Sequence, residues 1–283
     1  MNLKHYSKPF EVKGMVFDFH KETIVMGILN ATPDSFSDGG RFNVVEEAVI
    51  HAKKMVADGA KIIDVGGEST RPGHAAVSEE EEISRVIPVI EALVREVDVA
   101  ISIDTYKAKV AEAAILAGAH IINDVWGAKR EPEIAEVAAR LGVPIILMHN
   151  RDNTEYANFI PDVCKELEES VQIAKDAGVP DEQIWLDPGI GFGKTTEQNI
   201  WMMRHLEEVM EMGYPVLLGT SRKSMIGNIL NLPVEERLEG TAATVSFGIM
   251  QGCHIMRVHD VKEIVRTVRM MDVLTGKTPF IER

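Results

Sequence analysis

Eight short apolar runs punctuate the chain, at residues 23–29, 61–65, 99–103, 119–122, 143–148, 183–186, 215–218 and 254–258. Each is rich in β-branched residues and nearly continuous, the pattern of parallel strands buried on both faces. Helical periodicity fills the intervals, at 44–58, 79–96, 107–117, 132–141, 162–177, 196–212 and 238–251, and a last helical stretch, 261–274, follows the eighth run. Several of these end at a glycine, namely Gly59, Gly118, Gly142, Gly178, Gly213 and Gly252. Glycine just past a helix is its common C-terminal cap. Strands alternating with helices imply a parallel sheet with right-handed crossovers. Within 283 residues, eight such units close most simply into a (β/α)8 TIM barrel. The alternative is an open, doubly wound sheet. Residues 10–19, with Gly14 at their middle, read as a short N-terminal β-hairpin placed to plug the barrel's N-terminal end. No linker, low-complexity segment or composition shift interrupts 1–283, so the chain is read as one domain.

A barrel gathers the C-terminal ends of its strands on one face, and that face carries the active site. Here the apolar runs are followed by Asn30; Gly66, Gly67 and Glu68; Asp104; Asn123 and Asp124; His149 and Asn150; Asp187; Thr220 and Ser221; and Arg257 with His259. Any one of these has an ordinary use as a helix cap or turn former. All eight together need a ligand, because an acid at the end of a buried strand is costly unless something binds it.

Three loops on that face are distinctive. Residues 30–41 are long and polar, with one aromatic, Phe36, the pattern of a loop that closes over a ligand. Residues 66–73 (GGESTRPG) combine glycines, which allow close backbone approach, with Arg71, a planar fork for an oxygen anion. Residues 219–223 (GTSRK) open a helix with hydroxyls and cations, a favourable anion site. The loops after strands seven and eight of many barrels hold a phosphate, and here they carry Ser221, Arg222, Lys223, Ser224, Arg257 and His259. The chain as a whole is acidic, with 30 Lys and Arg against 44 Asp and Glu. That balance argues against a nucleic-acid binder and against a polybasic membrane anchor, so the local cations point to a small anionic ligand. Asp104, Asn123 and Asp187 in turn offer acceptors and an amide to a flat, N–H-rich heterocycle. Residues 189–195 (GIGFGKT) imitate a Walker A loop, but Pro188 stands where its first glycine is required. The segment is read as a glycine-rich loop that exposes Phe192 as an apolar wall.

Cys164 and Cys253 fit no zinc spacing or disulfide framework and are read as buried small hydrophobes. The polar first residues do not make a signal peptide, and no apolar run reaches the roughly 18 residues of a membrane span. The expected setting is the cytoplasm, with no membrane partner.

The motif segments are GILNATPDSFSDGG (27–40), IIDVGGESTRPG (62–73), ISIDTYK (101–107), IINDVWG (121–127), LMHN (147–150), LDPGIGFGK (186–194), GTSRKSMIG (219–227) and RVHDV (257–261). In this order and spacing the sequence resembles the dihydropteroate synthase family from about residue 23 to residue 271. The resemblance implies a pterin-binding barrel that joins p-aminobenzoate to 6-hydroxymethyl-7,8-dihydropterin diphosphate, releasing pyrophosphate. It also implies Mg²⁺ and a homodimer. Asp104, Asn123, Asp187 and Lys223 would hold the pterin edge, with Arg257 and Met148 flanking its faces. Asn30, Arg257 and His259 would take the diphosphate, joined by Arg71, and Asn30 with Asp38 would bind Mg²⁺. Phe36, Pro72, Phe192, Lys223 and Ser224 would form the p-aminobenzoate pocket, and Thr70 and Gly219 belong to the same substrate-binding set. Asp38, Asp104, Lys223 and Arg257 would be the catalytic residues. Ala31 and Val125 stand where Val and Ile are common in the motifs, both small apolar changes. A methyltetrahydrofolate-dependent methyltransferase shares such a barrel but needs neither the SFSDGG nor the TSRK segment. An inactive pterin-binding partner subunit should lack diphosphate or metal groups, whereas Asn30, Asp38, Arg71, Arg257 and His259 are all present.

Overall fold

The computed structural model describes residues 9–12, 14–31, 40–68 and 77–280, with the side chains of 40–43 excepted. Strands β1 (Phe10–Val12) and β2 (Met15–Phe17) pair antiparallel as a hairpin. Eight strands follow: β3 (Ile24–Asn30), β4 (Ile62–Gly66), β5 (Ala100–Asp104), β6 (Ile121–Asp124), β7 (Ile145–Met148), β8 (Ile184–Asp187), β9 (Leu217–Leu218) and β10 (Ile255–Val258). Their bounds lie within two residues of the apolar runs. All pair parallel in the order β8-β7-β6-β5-β4-β3-β10-β9, and a parallel bridge between Leu186 and Val216 joins the two ends of that order. The sheet is therefore a closed ring, which excludes the doubly wound alternative.

The helices that return the chain between strands are α1 (Gly40–Asp58), α2 (Glu79–Glu96), α3 (Ala108–Leu116), α4 (Glu133–Leu141), α5 (Phe159–Asp176), α6 (Thr196–Arg204), α7 (Leu206–Glu211), α8 (Ser224–Leu230), α9 (Leu238–Met250) and α10 (Val261–Leu274). The six glycines expected at helix ends all have positive φ, from 66° at Gly142 to 112° at Gly118. The stretch 196–212 is not one helix. It breaks at His205, whose Nδ1 lies 2.9 Å from the carbonyl oxygen of Trp201. A side chain that occupies a helical carbonyl competes with the backbone ladder.

Alternation along each barrel strand sorts residues into two layers. Ile63, Val65, Ile101, Ile103, Ile122, Ile145, Leu147, Ile184, Leu186, Leu218, Met256 and Val258 join the layer packed against the helices. Ile62, Ala100, Ile121, Ile146, Trp185, Leu217 and Ile255 point into the barrel, where they meet Phe17 and Phe19. Phe10 and Phe19 both pack edge-on against Trp185, with ring centroids 5.6 and 5.4 Å away. The hairpin thus plugs the N-terminal end as the sequence suggests. The same end is closed by buried His254, whose Nδ1 accepts the Val216 N–H at 3.0 Å. Burial holds that imidazole neutral, with its pKa pulled down to about 3. No helix among the described residues is long and apolar enough to cross a membrane.

Candidate active site

Two residues beyond the inward apolar layer, the same side of each strand changes character. Ile62 is followed by Asp64, Ala100 by Ser102 and then Asp104, Ile121 by Asn123, Ile146 by Met148, Trp185 by Asp187, Leu217 by Gly219, and Ile255 by Arg257. Period two makes each of these face inward as its predecessor does. The strands therefore deliver Asp104, Asn123, Met148, Asp187, Gly219 and Arg257 to one level of the barrel, and these six were expected there. Register supports the grouping, since Asp104 pairs with Asn123 and Met148 with Asp187 across neighbouring strands.

Arg257 organises this level. Its Nε donates to Asp64 Oδ2 at 2.6 Å and its Nη2 to Asp104 Oδ2 at 2.6 Å. Asn123 Nδ2 donates to the same Asp64 oxygen at 3.1 Å. Asp64 is fully buried and Asp104 is 6% exposed. Each keeps a second buried oxygen, Oδ1, without a protein hydrogen-bond partner. Buried carboxylate oxygens are rarely left so, and two of them at one level offer acceptors to a ligand's N–H groups. Burial pushes the Asp104 carboxyl up, Arg257 opposes that, and the like charge of Asp64 adds to it. Asp187 is likewise raised by burial, to about 6, against the Gly189 N–H that its Oδ1 accepts at 2.7 Å and the nearby Lys223. Three carboxylates against two cations make this level suited to a ligand that is N–H-rich or develops positive charge.

Lys223 approaches from the loop after β9. Its ammonium sits 4.0 Å above the centre of the Phe192 ring. Gly191, at φ +85°, lets the Lys223 stem pass, because a Cβ there would lie 2.9 Å from Lys223 Cδ. Phe192 is half-buried rather than exposed. Ser224 is exposed at the first residue of α8. Ammonium, ring and hydroxyl together form a wall fit for an aromatic acid.

A cavity of about 490 Å³ is lined by Asn30, Arg222 and His259 together with Lys54 and Lys262 and the acids Asp58, Asp260 and Glu263. Ser221 Oγ accepts the His259 backbone N–H at 3.1 Å and lies 3.0 Å from His259 Nδ1. Asn30 ends β3 exposed, and its Oδ1 and Asp104 both come within 4 Å of a Cβ built at Gly66.

Four strand-end groups read as ligand-facing have structural partners instead. Arg222 forks onto Asp260, at 3.0 Å from Nε and 2.5 Å from Nη2, so part of its guanidinium is committed to an ion pair. Asp124 accepts the N–H groups of Trp126 and Ala128. Asn150 donates to Val125 O, and His149 is fully buried against Lys194. Cys253 is buried, but Cys164 is only half-buried. Phe36, Asp38, Thr70, Arg71 and Pro72 lie outside the described residues.

Two groups of functional interest escaped the sequence reading. Asp64 sits in mid-run, not at a strand end, and its signal is that it lies two residues after inward Ile62. Lys107 is the other. Its Nζ donates to Glu68 Oε2 (2.5 Å), Glu82 Oε2 (2.6 Å) and Val77 O (2.7 Å). One ammonium thereby ties Glu68, just past β4, to Val77 and Glu82 at the start of α2.

Comparison with known proteins agrees with this geometry. The family model described as pterin binding enzyme matches residues 26–259. A dihydropteroate synthase of Clostridium beijerinckii is 62% identical over 262 residues, covering 92% of this chain and 97% of that protein. The structure of Clostridium difficile dihydropteroate synthase in the presence of pteroic acid is 51% identical with a TM-score of 0.90, covering 91% of this chain and 98% of that one. The Xanthomonas albilineans dihydropteroate synthase with 4-aminobenzoic acid is 40% identical with a TM-score of 0.90, covering 95% and 99%. The inward acid–amide–guanidinium level and the full-length matches lead to one conclusion: this chain belongs to the pterin-binding enzymes of the dihydropteroate synthase family.

Proposed function

We infer that the chain is a dihydropteroate synthase, condensing 6-hydroxymethyl-7,8-dihydropterin diphosphate with p-aminobenzoate to give 7,8-dihydropteroate and pyrophosphate. The observation that carries this reading is the pair of buried, unpartnered carboxylate oxygens on Asp64 and Asp104, set level with Asn123, Asp187 and Arg257. The pterin ring lies in that level. Asp104, Asn123, Asp187 and Lys223 hold its edge, Arg257 and Met148 flank its faces, and Gly219 leaves room beside Asp187. The diphosphate goes to Asn30, Arg257 and His259, with Arg71 and Thr70 completing the set. The p-aminobenzoate ring packs on Phe192, Phe36 and Pro72, its carboxylate directed to Ser224 and Lys223.

The bond from the pterin methylene carbon to the diphosphate oxygen breaks as the aniline nitrogen attacks that carbon. The oxygen takes the electron pair, and the nitrogen gives up a proton once its new bond has formed. Positive charge develops on the methylene, and the ionised acids of the inward level stabilise it. The cations take the growing negative charge of pyrophosphate. No residue in this arrangement needs to act as a covalent nucleophile.

Mg²⁺ belongs to the same reading. Asn30, exposed at the end of β3, offers a hard amide oxygen. Few protein ligands suit Mg²⁺, which favours one or two carboxylates plus substrate phosphates. Asn30 and Asp38 would hold it, and bound there it would neutralise the leaving pyrophosphate. The reading further takes residues 1–283 as one domain, the assembly as a homodimer and the setting as cytoplasmic.

The test is pyrophosphate release from the pterin diphosphate, with and without p-aminobenzoate, in Mg²⁺ and in EDTA. Release accompanied by dihydropteroate and lost in EDTA is expected. Tight pterin diphosphate binding with no product would overturn the assignment in favour of an inactive pterin-binding relative.

A further inference from the structure

The proposed reaction does not use one buried lysine, Lys194, whose pKa burial draws down to about 7. Lys194 closes the loop after β8, and its ammonium has three acceptors: His149 Nδ1 at 2.7 Å, Gly189 O at 3.0 Å and Phe192 O at 3.1 Å. Three donors meet three acceptors, so the group is fully satisfied. His149 lies behind it, completely buried, with Nε2 3.0 Å from Glu166 Oε2. Burial holds that imidazole neutral, its pKa drawn down to about 4. His149 thus bridges Lys194 and Glu166 through its two ring nitrogens. Lys129 and Arg151 flank Glu166 at 3.6 Å each.

Two of the three acceptors belong to the loop itself. The loop is therefore wrapped around the ammonium, and its backbone conformation depends on it. Gly189, at φ +69°, packs so closely on His149 that a Cβ would meet the His149 carbonyl oxygen at 1.9 Å. The Gly191 N–H is held by Asn199 Oδ1 at 2.7 Å. The outward side of the same loop carries the Phe192 ring and the Gly191 backbone, both in contact with Lys223. One cation lies inside the loop and a second rests on its outside.

We propose that Lys194 is a positioning residue for the p-aminobenzoate pocket: by gathering the Gly189 and Phe192 carbonyls around its ammonium, it fixes the loop that sets the Phe192 ring and the Lys223 side chain. This rests on the reading of Phe192 and Lys223 as walls of that pocket. Most of the pterin level stands on other strands, through Asp64, Asp104, Asn123 and Arg257, and only Lys223 and Asp187, which accepts the Gly189 N–H, tie it to this loop. Loss of the ammonium therefore separates the two substrates kinetically, which a general loss of stability does not do.

The experiment compares the full wild-type chain with Lys194→Met, measuring kcat, KM for each substrate and thermal midpoint. The expected result is a KM for p-aminobenzoate raised at least tenfold, with a clearly smaller rise, about threefold or less, in the KM for pterin diphosphate, which shares Lys223 and Asp187. An unchanged KM for p-aminobenzoate, or an equal rise in both, overturns the proposal. Should Lys194→Met fail to fold, Glu166→Gln takes its place, because it loosens His149 from outside the loop. A two- to threefold rise in the p-aminobenzoate KM alone is then expected, and no change overturns the proposal. A wild-type chain that makes no dihydropteroate refutes the functional reading and the positioning role with it. Wild-type turnover beside an unaffected Lys194→Met variant refutes the positioning role alone.

Discussion

Removing the Arg257 guanidinium should destabilise the protein in a pH-dependent way. Its two prongs reach Asp64 and Asp104 at 2.6 Å each, and both acids are buried. Arg257→Met keeps the apolar stem but leaves two carboxylates facing each other with one amide, Asn123, between them. Breaking a buried ion pair by removing one partner costs about 3–5 kcal/mol. For a chain of this size that corresponds to a thermal midpoint lowered by on the order of 10 °C. The loss has a definite pH dependence. Without the cation, burial and the like charge of Asp64 hold the Asp104 carboxyl above its unfolded value of about 3.9. An acid raised in the folded state stabilises at low pH, and that stability is lost as pH rises from the unfolded towards the folded pKa. The difference between wild type and variant should therefore be largest near pH 8 and shrink by half or more near pH 5. Scanning calorimetry of both proteins at the two values reads it directly. A gap under about 1 kcal/mol at pH 8, or one equal at both pH values, would refute the view that Arg257 balances two buried acids.

Other outcomes follow from the same coordinates. Asp187→Asn keeps the bond to the Gly189 N–H but removes an acid that burial has raised to about 6. Its thermal midpoint above pH 6 should equal or exceed wild type while turnover falls at least a hundredfold, as calorimetry and steady-state kinetics will show. Lys107→Met strands Glu82, which is 1% exposed, and should cost about 3–5 kcal/mol. Adding Glu82→Gln should recover much of that loss in urea titrations. Phe19→Ala opens a cavity where the hairpin meets Trp185 and should cost about 3–5 kcal/mol by the same assay. Burial lowers His254 to about 3 in the folded chain, so its contribution is lost as pH falls below about 6.5. His254→Gln should flatten the thermal midpoint between pH 6.5 and 4.

The strands were legible because barrel strands are buried on both faces, and such runs are nearly continuous in sequence. The glycines marked helix ends for a backbone reason that needs no tertiary knowledge, and all six took positive φ. The break at His205 was not visible, because neither Gly nor Pro stands near it in sequence and its cause is one side chain on the Trp201 carbonyl. Asp104, Asn123, Asp187 and Arg257 were found by looking at strand ends. Asp64 was missed by that rule, although counting two residues on from an inward isoleucine reaches it. The ion pair of Arg222 was not visible because its partner, Asp260, is 38 residues away and only the fold brings them together. Lys194 was overlooked as the tail of a false Walker A loop. Its role depends on His149 and on two carbonyls of its own loop, and no spacing rule encodes that. The distinction is physical: burial periodicity is local in sequence, whereas the partners of a buried charge are not.

The central claim is that the inward level of acids and amide holds the pterin ring. Calorimetric titration of 6-hydroxymethyl-7,8-dihydropterin diphosphate into wild type, Asp104→Asn and Asn123→Ala tests it most directly. Arg257 keeps its bond to Asp64 in the first variant, so both proteins should stay folded. The account predicts that each variant keeps a thermal midpoint within a few degrees of wild type and binds the pterin at least a hundredfold more weakly. Wild-type affinity in either folded variant would contradict it, and the ring would have to lie elsewhere on the barrel.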